Sequence, residues 1–230
     1  MFELTPLESE AMGLSLRVAF WAVAGSLPFG IAVAWLLART RFPGRLILDG
    51  IVHLPLVLPP VAVGYLLLVL LGRQGPVGAW LESWFGITLA FTWRAAVVAA
   101  AVMAFPLMVR AIRLGIEAID RGLEDAARTL GARPPAVFFR VTLPLALPGI
   151  LAGVLLAFAR SLGEFGATIM FAANIPGETR TLPLALYSVA QTPDGDGPAL
   201  RLILISLALA MAALILSEIL ARRADRRLRG

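Results

Sequence analysis

Long stretches without a charged side chain alternate along this sequence with short segments rich in arginine. About 21 uncharged residues lie between Arg17 and Arg39, and at 1.5 Å per residue they form a helix of about 31 Å. The hydrocarbon core of a bilayer is about 30 Å thick, so this stretch predicts a membrane span. The pattern therefore predicts an all-α, polytopic membrane protein with about five transmembrane helices. The other expected spans are residues 50–72, 89–109, 141–159 and 200–220.

Prolines interrupt the second predicted span. Proline leaves a backbone carbonyl without its donor, which a membrane tolerates only where other helices or a watery cavity satisfy it. Pro59 and Pro60 are therefore candidate residues of a transport pathway or gate. The alternative is an ordinary kinked helix of the bundle. His53, near the inner end of this span, is predicted to be structural rather than a proton carrier.

The fourth predicted span is expected to continue past Ala159 as a helix through residues 160–168. A re-entrant or interfacial stretch up to Gly177 then follows. Arg160 and Glu164 stand four residues apart on this helix, so they are predicted to form a structural pair. The alternative is a pathway role, because an ionisable residue at membrane depth is a functional candidate by default. The candidate pathway residues here are Arg160, Ser161, Glu164 and Thr168.

The longest polar interruption is the stretch 120–144, DRGLEDAARTLGARPPAVFFRVTLP. Acidic side chains at its start suit the exposed N–H groups of a helix N-terminus. Gly131 can take the left-handed conformation that ends a helix, and the two prolines that follow prevent continuation. A helix of about ten residues results, too short to be stable alone in water. Its small apolar face must lie on its own bundle or on another protein. That face comprises Leu123, Ala126, Ala127 and Leu130.

Composition supports a single membrane domain spanning residues 1–230, with its core at about 13–220. The chain is 59% hydrophobic and 15% charged, whereas a soluble domain averages about 25% charged residues. No length remains for a soluble ATPase or receptor domain. The absence of cysteine excludes disulfides and thiolate chemistry, and a single histidine excludes most metal sites.

The arginines predict the orientation. All 20 basic residues are arginine, and loops 39–45 and 110–140 and the C-terminal tail hold three, six and five of them. This bias places those segments, the 120–144 stretch and the C-terminus in the cytoplasm and the N-terminus outside. Residues 1–10 carry Glu3, Glu8 and Glu10 but no basic residue, so no signal peptide is expected. Because the arginines flank the spans, no nucleic-acid partner is expected.

Motifs of catalysis are missing from the sequence. It contains no G-x-x-x-x-G-K-[ST] loop for ATP phosphates, no HExxH, and no Ser/His/acid set. The chain is therefore predicted to be no enzyme and to depend on another subunit for ATP hydrolysis.

The stretch 120–144 resembles the EAA loop of ABC importer permeases. The likeness rests on Asp125-Ala126-Ala127, Gly131 and Leu143-Pro144, with aspartate standing where that family usually has glutamate. The resemblance implies a cytoplasmic coupling helix that docks on an ATPase subunit; the alternative is a surface helix that only links two spans. The implied coupling residues are Glu124, Asp125, Ala126, Ala127, Gly131, Leu143 and Pro144.

Longer segments resemble the permease subunit of molybdate ABC importers: HLPLVLPPVAVGYLLLV, SLGEFGAT and NIPGETRT. This resemblance implies a type I importer in the bacterial plasma membrane, formed by two copies of the chain in the lipid bilayer. Two ATPase subunits would hold ATP-Mg, a periplasmic or extracellular protein would deliver molybdate, and this chain would carry no cofactor. Two alternatives stay open: a tungstate or sulfate/thiosulfate importer, and a gradient-driven carrier or channel. The proline-broken spans and the intramembrane charges argue against a purely structural anchor.

Overall fold

The computed structural model describes residues 4–229, and beyond residue 213 it describes the side chains of Ile215, Leu216 and Ile219 alone. Within this range all regular structure is helical, which confirms the predicted fold class. Glu3 and the arginines of the C-terminal tail, used above to predict orientation, lie outside the described side chains. The helices are α1 (Pro6–Arg39), α2 (Arg45–Val57), α3 (Pro60–Leu71), α4 (Pro76–Phe85), α5 (Trp93–Glu117), α6 (Arg121–Thr129), α7 (Pro134–Val137), a π-helical turn (Phe138–Thr142), α8 (Leu143–Leu145), α9 (Leu147–Leu162), α10 (Gly166–Phe171), α11 (Leu182–Ala190) and α12 (Asp196–Arg229).

Three of these helices are long and apolar enough to cross a membrane unaided. They are α1, α5 and the first part of α12, Asp196–Ala213. Two bent pairs also meet the length and composition of a span, α2 with α3 and the segment 134–145 with α9, which brings the number to as many as five. The predicted count of five therefore requires that each bent pair be one span.

Helix α5 lies at the centre of the bundle. It packs against α1 and α9 along most of its length and against α3 and α10 near its start. Small side chains permit this close packing, because its buried alanines, among them Ala95, Ala99 and Ala104, are at most 2% exposed. Leu37 of α1 and Ile112 of α5 are fully buried in the same core. The long apolar stretch predicted as the third span is thus the interior helix.

The second predicted span is broken rather than kinked. Helix α2 ends at Val57 and α3 begins at Pro60, and the two axes differ by 115°. The break follows from Pro59 and Pro60, because the residue before a proline is driven out of the helical region and proline cannot donate to the preceding turn. Leu58 accordingly adopts an extended conformation with ψ 145°. The alternative prediction, an ordinary kinked helix, is therefore wrong.

The fourth predicted span also differs from the expectation. The segment 134–145 meets α9 at 67°, and α9 ends at Leu162 instead of continuing through residue 168. A new short helix, α10, begins at Gly166, and the Glu164 carboxylate accepts a hydrogen bond from the backbone N–H of Ala167 in its first turn at 2.8 Å. The apolar stretch after Phe165 thus forms one and a half turns of helix followed by irregular chain.

The two ends of the bundle carry different polar contacts. At one end, Arg39 of α1 lies against α6 and the loop before it. At the other end, the Arg17 guanidinium stacks 3.8 Å from the centre of the Trp93 ring. Glu8 pairs there with Arg201 at 3.0 Å, which joins the start of α1 to α12. The polar stretch 120–144 therefore shares one end of the molecule with the arginine-rich loop 39–45.

Candidate functional site

Helix α6 forms where the sequence predicted it. The Asp120 carboxylate caps its start by accepting a hydrogen bond from the N–H of Gly122 at 2.8 Å. Gly131 ends it with φ +86°, a backbone conformation that disfavours residues with a side chain. The N–H of Ala132 then donates to the carbonyl of Ala127, satisfying one of the last carbonyls.

The predicted apolar face of α6 is open to its surroundings. Leu123 is 50% exposed and Leu130 89% exposed, while Ala126 is exposed and Ala127 half-buried. Exposed leucines bury no apolar surface within the single chain and so do not stabilise it. This face is therefore available to a partner. Asp125, at the position of the family glutamate, is exposed and pairs with Arg128 at 2.7 Å.

Glu124 differs from its neighbours on α6 because it is buried, with 4% of its surface exposed. Its Oε1 accepts hydrogen bonds from Nε of Arg39 at 3.1 Å and from the Thr142 hydroxyl at 2.8 Å. Arg39 also donates to the carbonyl of Ile119 at 3.2 Å. These contacts fix α6 to α1 and to the π-helical turn that precedes α9.

Leu143 and Pro144, the remaining coupling candidates, lie on α8 rather than on α6. Leu143 packs against the hydrophobic core, and Pro144 is exposed at the first turn of that helix. The structure therefore divides the predicted coupling residues by position. Asp125 and Ala126 are exposed and Ala127 is half-buried, and Gly131 ends their helix. Glu124 and Leu143 join the stretch to the bundle.

Helix α10, which carries Thr168, packs against the break between α2 and α3. A Cβ atom placed on Gly166 would lie 2.7 Å from Cβ of Pro60, so only glycine allows α10 to approach the break this closely. Arg160 and Glu164 form the predicted ion pair at 2.7 Å, with side chains 28% and 2% exposed. Ser161 and Thr168 are buried, whereas Pro59 and Pro60 are exposed. Of these candidates, Pro59 and Pro60 are therefore accessible from outside the single chain and Thr168 is not.

His53 lies one turn after Asp49 on α2. Its Nδ1 is 2.8 Å from the Asp49 carbonyl and 3.4 Å from the Asp49 carboxylate. Arg113 of α5 contacts the same carboxylate at 3.1 Å and Glu117 at 2.8 Å. These contacts agree with the structural role predicted for this histidine.

Sequence reasoning missed two of the residues that hold this arrangement together, Arg39 and Thr142. Neither has a local signal, since Arg39 closes a membrane span and Thr142 lies in an apolar segment. The signal available in the sequence was Glu124, because a second carboxylate beside Asp125 at the start of α6 needs a partner of its own.

Known proteins resemble this chain along nearly its whole length. The model of one family, described as "Binding-protein-dependent transport system inner membrane component", matches residues 26–226. The chain belongs to this family. It is therefore a multi-pass membrane protein and a transport subunit rather than an enzyme.

Individual relatives make the likeness more specific. The molybdenum transport system permease protein ModB of Escherichia coli K12 is 64% identical over 219 residues, covering 95% of this chain and 96% of that protein. The protein of the same name from Haemophilus influenzae is 55% identical over 222 residues, covering 96% and 97%. A sulfate transport system permease protein, CysW of Synechocystis, is 38% identical over 216 residues, covering 93% and 76%. These relatives confirm the resemblance to molybdate importer permeases.

Solved structures share the fold. The bacterial ABC transporter that imports alginate matches 96% of this chain and 80% of its own chain, with a TM-score of 0.76 and 17% identity. The methionine ABC transporter MetNI, in an inward-facing conformation, matches 95% and 96% with a TM-score of 0.71 and 19% identity. At these identities the likeness concerns the fold alone.

Proposed function

We propose that this chain is the permease subunit of an ATP-driven molybdate importer, in which two copies form the anion pathway. The observation that supports molybdate as the substrate is the 64% identity to the Escherichia coli molybdenum permease over 95% of the chain. The sulfate permease, at 38%, is a more distant relative, so sulfate is not favoured. Tungstate, an anion of the same charge and shape, is the competitor that the uptake experiment below includes.

Energy from ATP reaches the pathway through α6. Its exposed face offers small and apolar side chains to a separate ATPase subunit, and the buried Glu124–Arg39 contact attaches that face to α1. A docked ATPase that moved α6 would therefore move α1 with it. A gradient-driven carrier would need neither the exposed face of α6 nor its attachment to α1.

A second copy is supported by the apolar surface of α2 and α3. Large side chains there project from the single chain, with Leu46 84% and Val57 82% exposed. Val57 of α2 and Val61 of α3, which is 48% exposed, lie on either side of the break that carries Pro59 and Pro60, so a partner copy on this face would enclose the break. In a dimer of this kind the two breaks would face one pathway.

The proposed topology places the N-terminus outside and the C-terminus in the cytoplasm. The Arg39–Glu124 contact supports it, because it holds two arginine-rich loops at the same end of the bundle. The ATPase would then bind from the cytoplasm and a molybdate-binding protein from the opposite side.

Reconstitution tests this function. The chain, its ATPase and its binding protein in liposomes should take up radiolabelled molybdate only with ATP, and unlabelled tungstate should compete more strongly than sulfate. Uptake without ATP, driven by an ion gradient, would establish the carrier instead. Stronger competition by sulfate than by tungstate would overturn the proposed substrate.

A further inference from the structure

Two neighbouring cavities lie at the Arg39 end of α1, and three side chains line both of them: Trp35, Pro134 and Phe138. The larger cavity, here called the apolar groove, has a volume of about 560 Å³. It runs between α1 and the segment 134–139, and no charged residue lines it. Its other lining residues are Ala32, Val33, Leu36, Pro135 and Phe139.

The smaller cavity, here called the arginine pocket, has a volume of about 160 Å³ and is lined by Arg39, Arg121 and Arg128. Glu124 neutralises the first of these and Asp125 the third. Arg121 is exposed and makes no ion pair with any carboxylate among residues 4–213. The arginine pocket therefore keeps one positive charge in excess.

Aromatic side chains separate the two cavities. Trp35 and Phe138 pack edge to face with their ring centres 5.7 Å apart, and the ring of Phe139 follows at 5.0 Å from Phe138. Trp35 stands one turn before Arg39, where the first membrane span ends. Because tryptophan favours the membrane–water interface, the groove lies at the depth of lipid chains and the arginine pocket at the depth of headgroups.

We propose that these cavities bind an anionic phospholipid of the cytoplasmic leaflet, with an acyl chain in the apolar groove and the phosphate beside Arg121 and Arg128. An anionic lipid matches an uncharged groove beside a positive pocket, because Trp35, Pro134 and Phe138 line both cavities. A soluble anion would have no use for the groove, and a zwitterionic lipid would gain less from the excess charge. The assignment of the leaflet rests on the proposed topology.

The position of this site gives the lipid a role in coupling. Arg121 and Arg128 belong to α6, so a headgroup held there would lie against the helix that meets the ATPase. The lipid would neutralise the pocket and fill the space between α6 and α1.

Photolabelling tests the site in the assembled permease–ATPase complex. The complex is placed in phosphatidylcholine nanodiscs that contain a little phosphatidylglycerol with a diazirine in its acyl chain, and the labelled peptides are mapped. Label is expected on residues 32–36 or 134–139. Arg121→Gln should lower it about fivefold, since each arginine near the surface contributes about 1 kcal/mol, and Ala32→Phe should block the groove. Arg140→Gln is the matched control, because Arg140 is exposed nearby but lines neither cavity.

Three results would overturn the proposal. The first is that a photoactivatable phosphatidylcholine labels the site as strongly as the phosphatidylglycerol does. The second is that Arg140→Gln lowers the labelling as much as Arg121→Gln does. The third is labelling of the free permease that disappears when the ATPase binds, which would assign the cavities to a protein partner. Uptake of molybdate by the unaltered complex is measured separately. If that uptake fails while phosphatidylglycerol labelling remains selective, the proposed transport function is wrong and the lipid site stands.

Discussion

Glu124 and Arg39, 85 positions apart in the sequence, form a buried ion pair with 3.1 Å between carboxylate and guanidinium. Their side chains are 5% and 8% exposed, and the hydroxyl of Thr142 and the carbonyl of Ile119 complete the network. The pair joins the exposed α6 helix to the first membrane span. It gives α6 a fixed position on the bundle that nine residues of helix could not maintain alone.

Removing Glu124 should therefore destabilise the permease strongly. Glu124→Ala leaves the Arg39 guanidinium buried without a counter-charge, and we expect the free energy of unfolding in detergent to fall by about 3–5 kcal/mol. Asp125→Ala, which breaks an exposed pair on the same helix, should cost no more than about 1 kcal/mol. Equal losses for the two variants would show that burial of the Glu124 pair has no energetic consequence.

The Arg160–Glu164 pair is expected to be structural. Glu164→Gln keeps an oxygen that can accept the Ala167 N–H, whereas Glu164→Ala loses both the pair and the cap, so stability should fall further in the alanine variant, by about 1–3 kcal/mol. Glu178→Gln, at an exposed position of the following loop, is the control. A Glu164→Gln permease that is as stable as the unaltered chain but transports no molybdate would favour a pathway role instead.

Gly131→Val should weaken coupling without touching the bundle. A Cβ atom at this position meets nothing within 4 Å, so the cost arises from φ +86° alone and amounts to roughly 1 kcal/mol. The end of α6 should tilt or fray, and less ATPase should co-purify. Gly163→Val is the matched control, since its Cβ also meets nothing within 4 Å and its φ is −93°. If both variants retain the ATPase equally, the conformation of Gly131 does not matter for docking.

A charge on the partner-facing side of α6 should have a larger effect. Ala127→Glu adds volume and a carboxylate to a half-buried position, so the permease should insert and dimerise but lose binding-protein-stimulated ATP hydrolysis in liposomes. Ala132→Glu, just beyond the helix at a position that is also half-buried, adds the same single negative charge and is the control. Normal hydrolysis in Ala127→Glu would mean that α6 is only a linker between spans.

Cysteine labelling tests the orientation, because the chain contains no cysteine of its own. Glu10→Cys and Thr129→Cys place thiols at exposed positions on opposite ends of the bundle. A membrane-impermeant maleimide added to intact spheroplasts should modify position 10 and leave position 129 unmodified until the membrane is opened. The reverse pattern would invert the proposed topology.

The sequence by itself determined the features that depend on neighbouring residues. Apolar length identified the stretches that can cross a membrane, because a bilayer fixes how many uncharged residues a helix needs. Asp120, Gly131 and the prolines after it set the ends of α6, because capping and backbone conformation act within one turn. The same local reasoning located the proline break, although it could not give the angle of 115°.

Tertiary structure alone decided which of these residues meet. Glu124 and Asp125 are adjacent acids with the same local signals, yet one is buried against Arg39 and the other is exposed. Pro60 and Gly166 come into contact only because α3 and α10 pack together. The Glu164 carboxylate likewise meets the N–H of Ala167 in a chain where α9 ends at Leu162 and α10 begins at Gly166. Periodicity predicts which side of a helix is apolar, but the packing of the whole bundle decides which neighbour covers it. That packing buries Glu124 of α6 against Arg39 of α1 and Thr142.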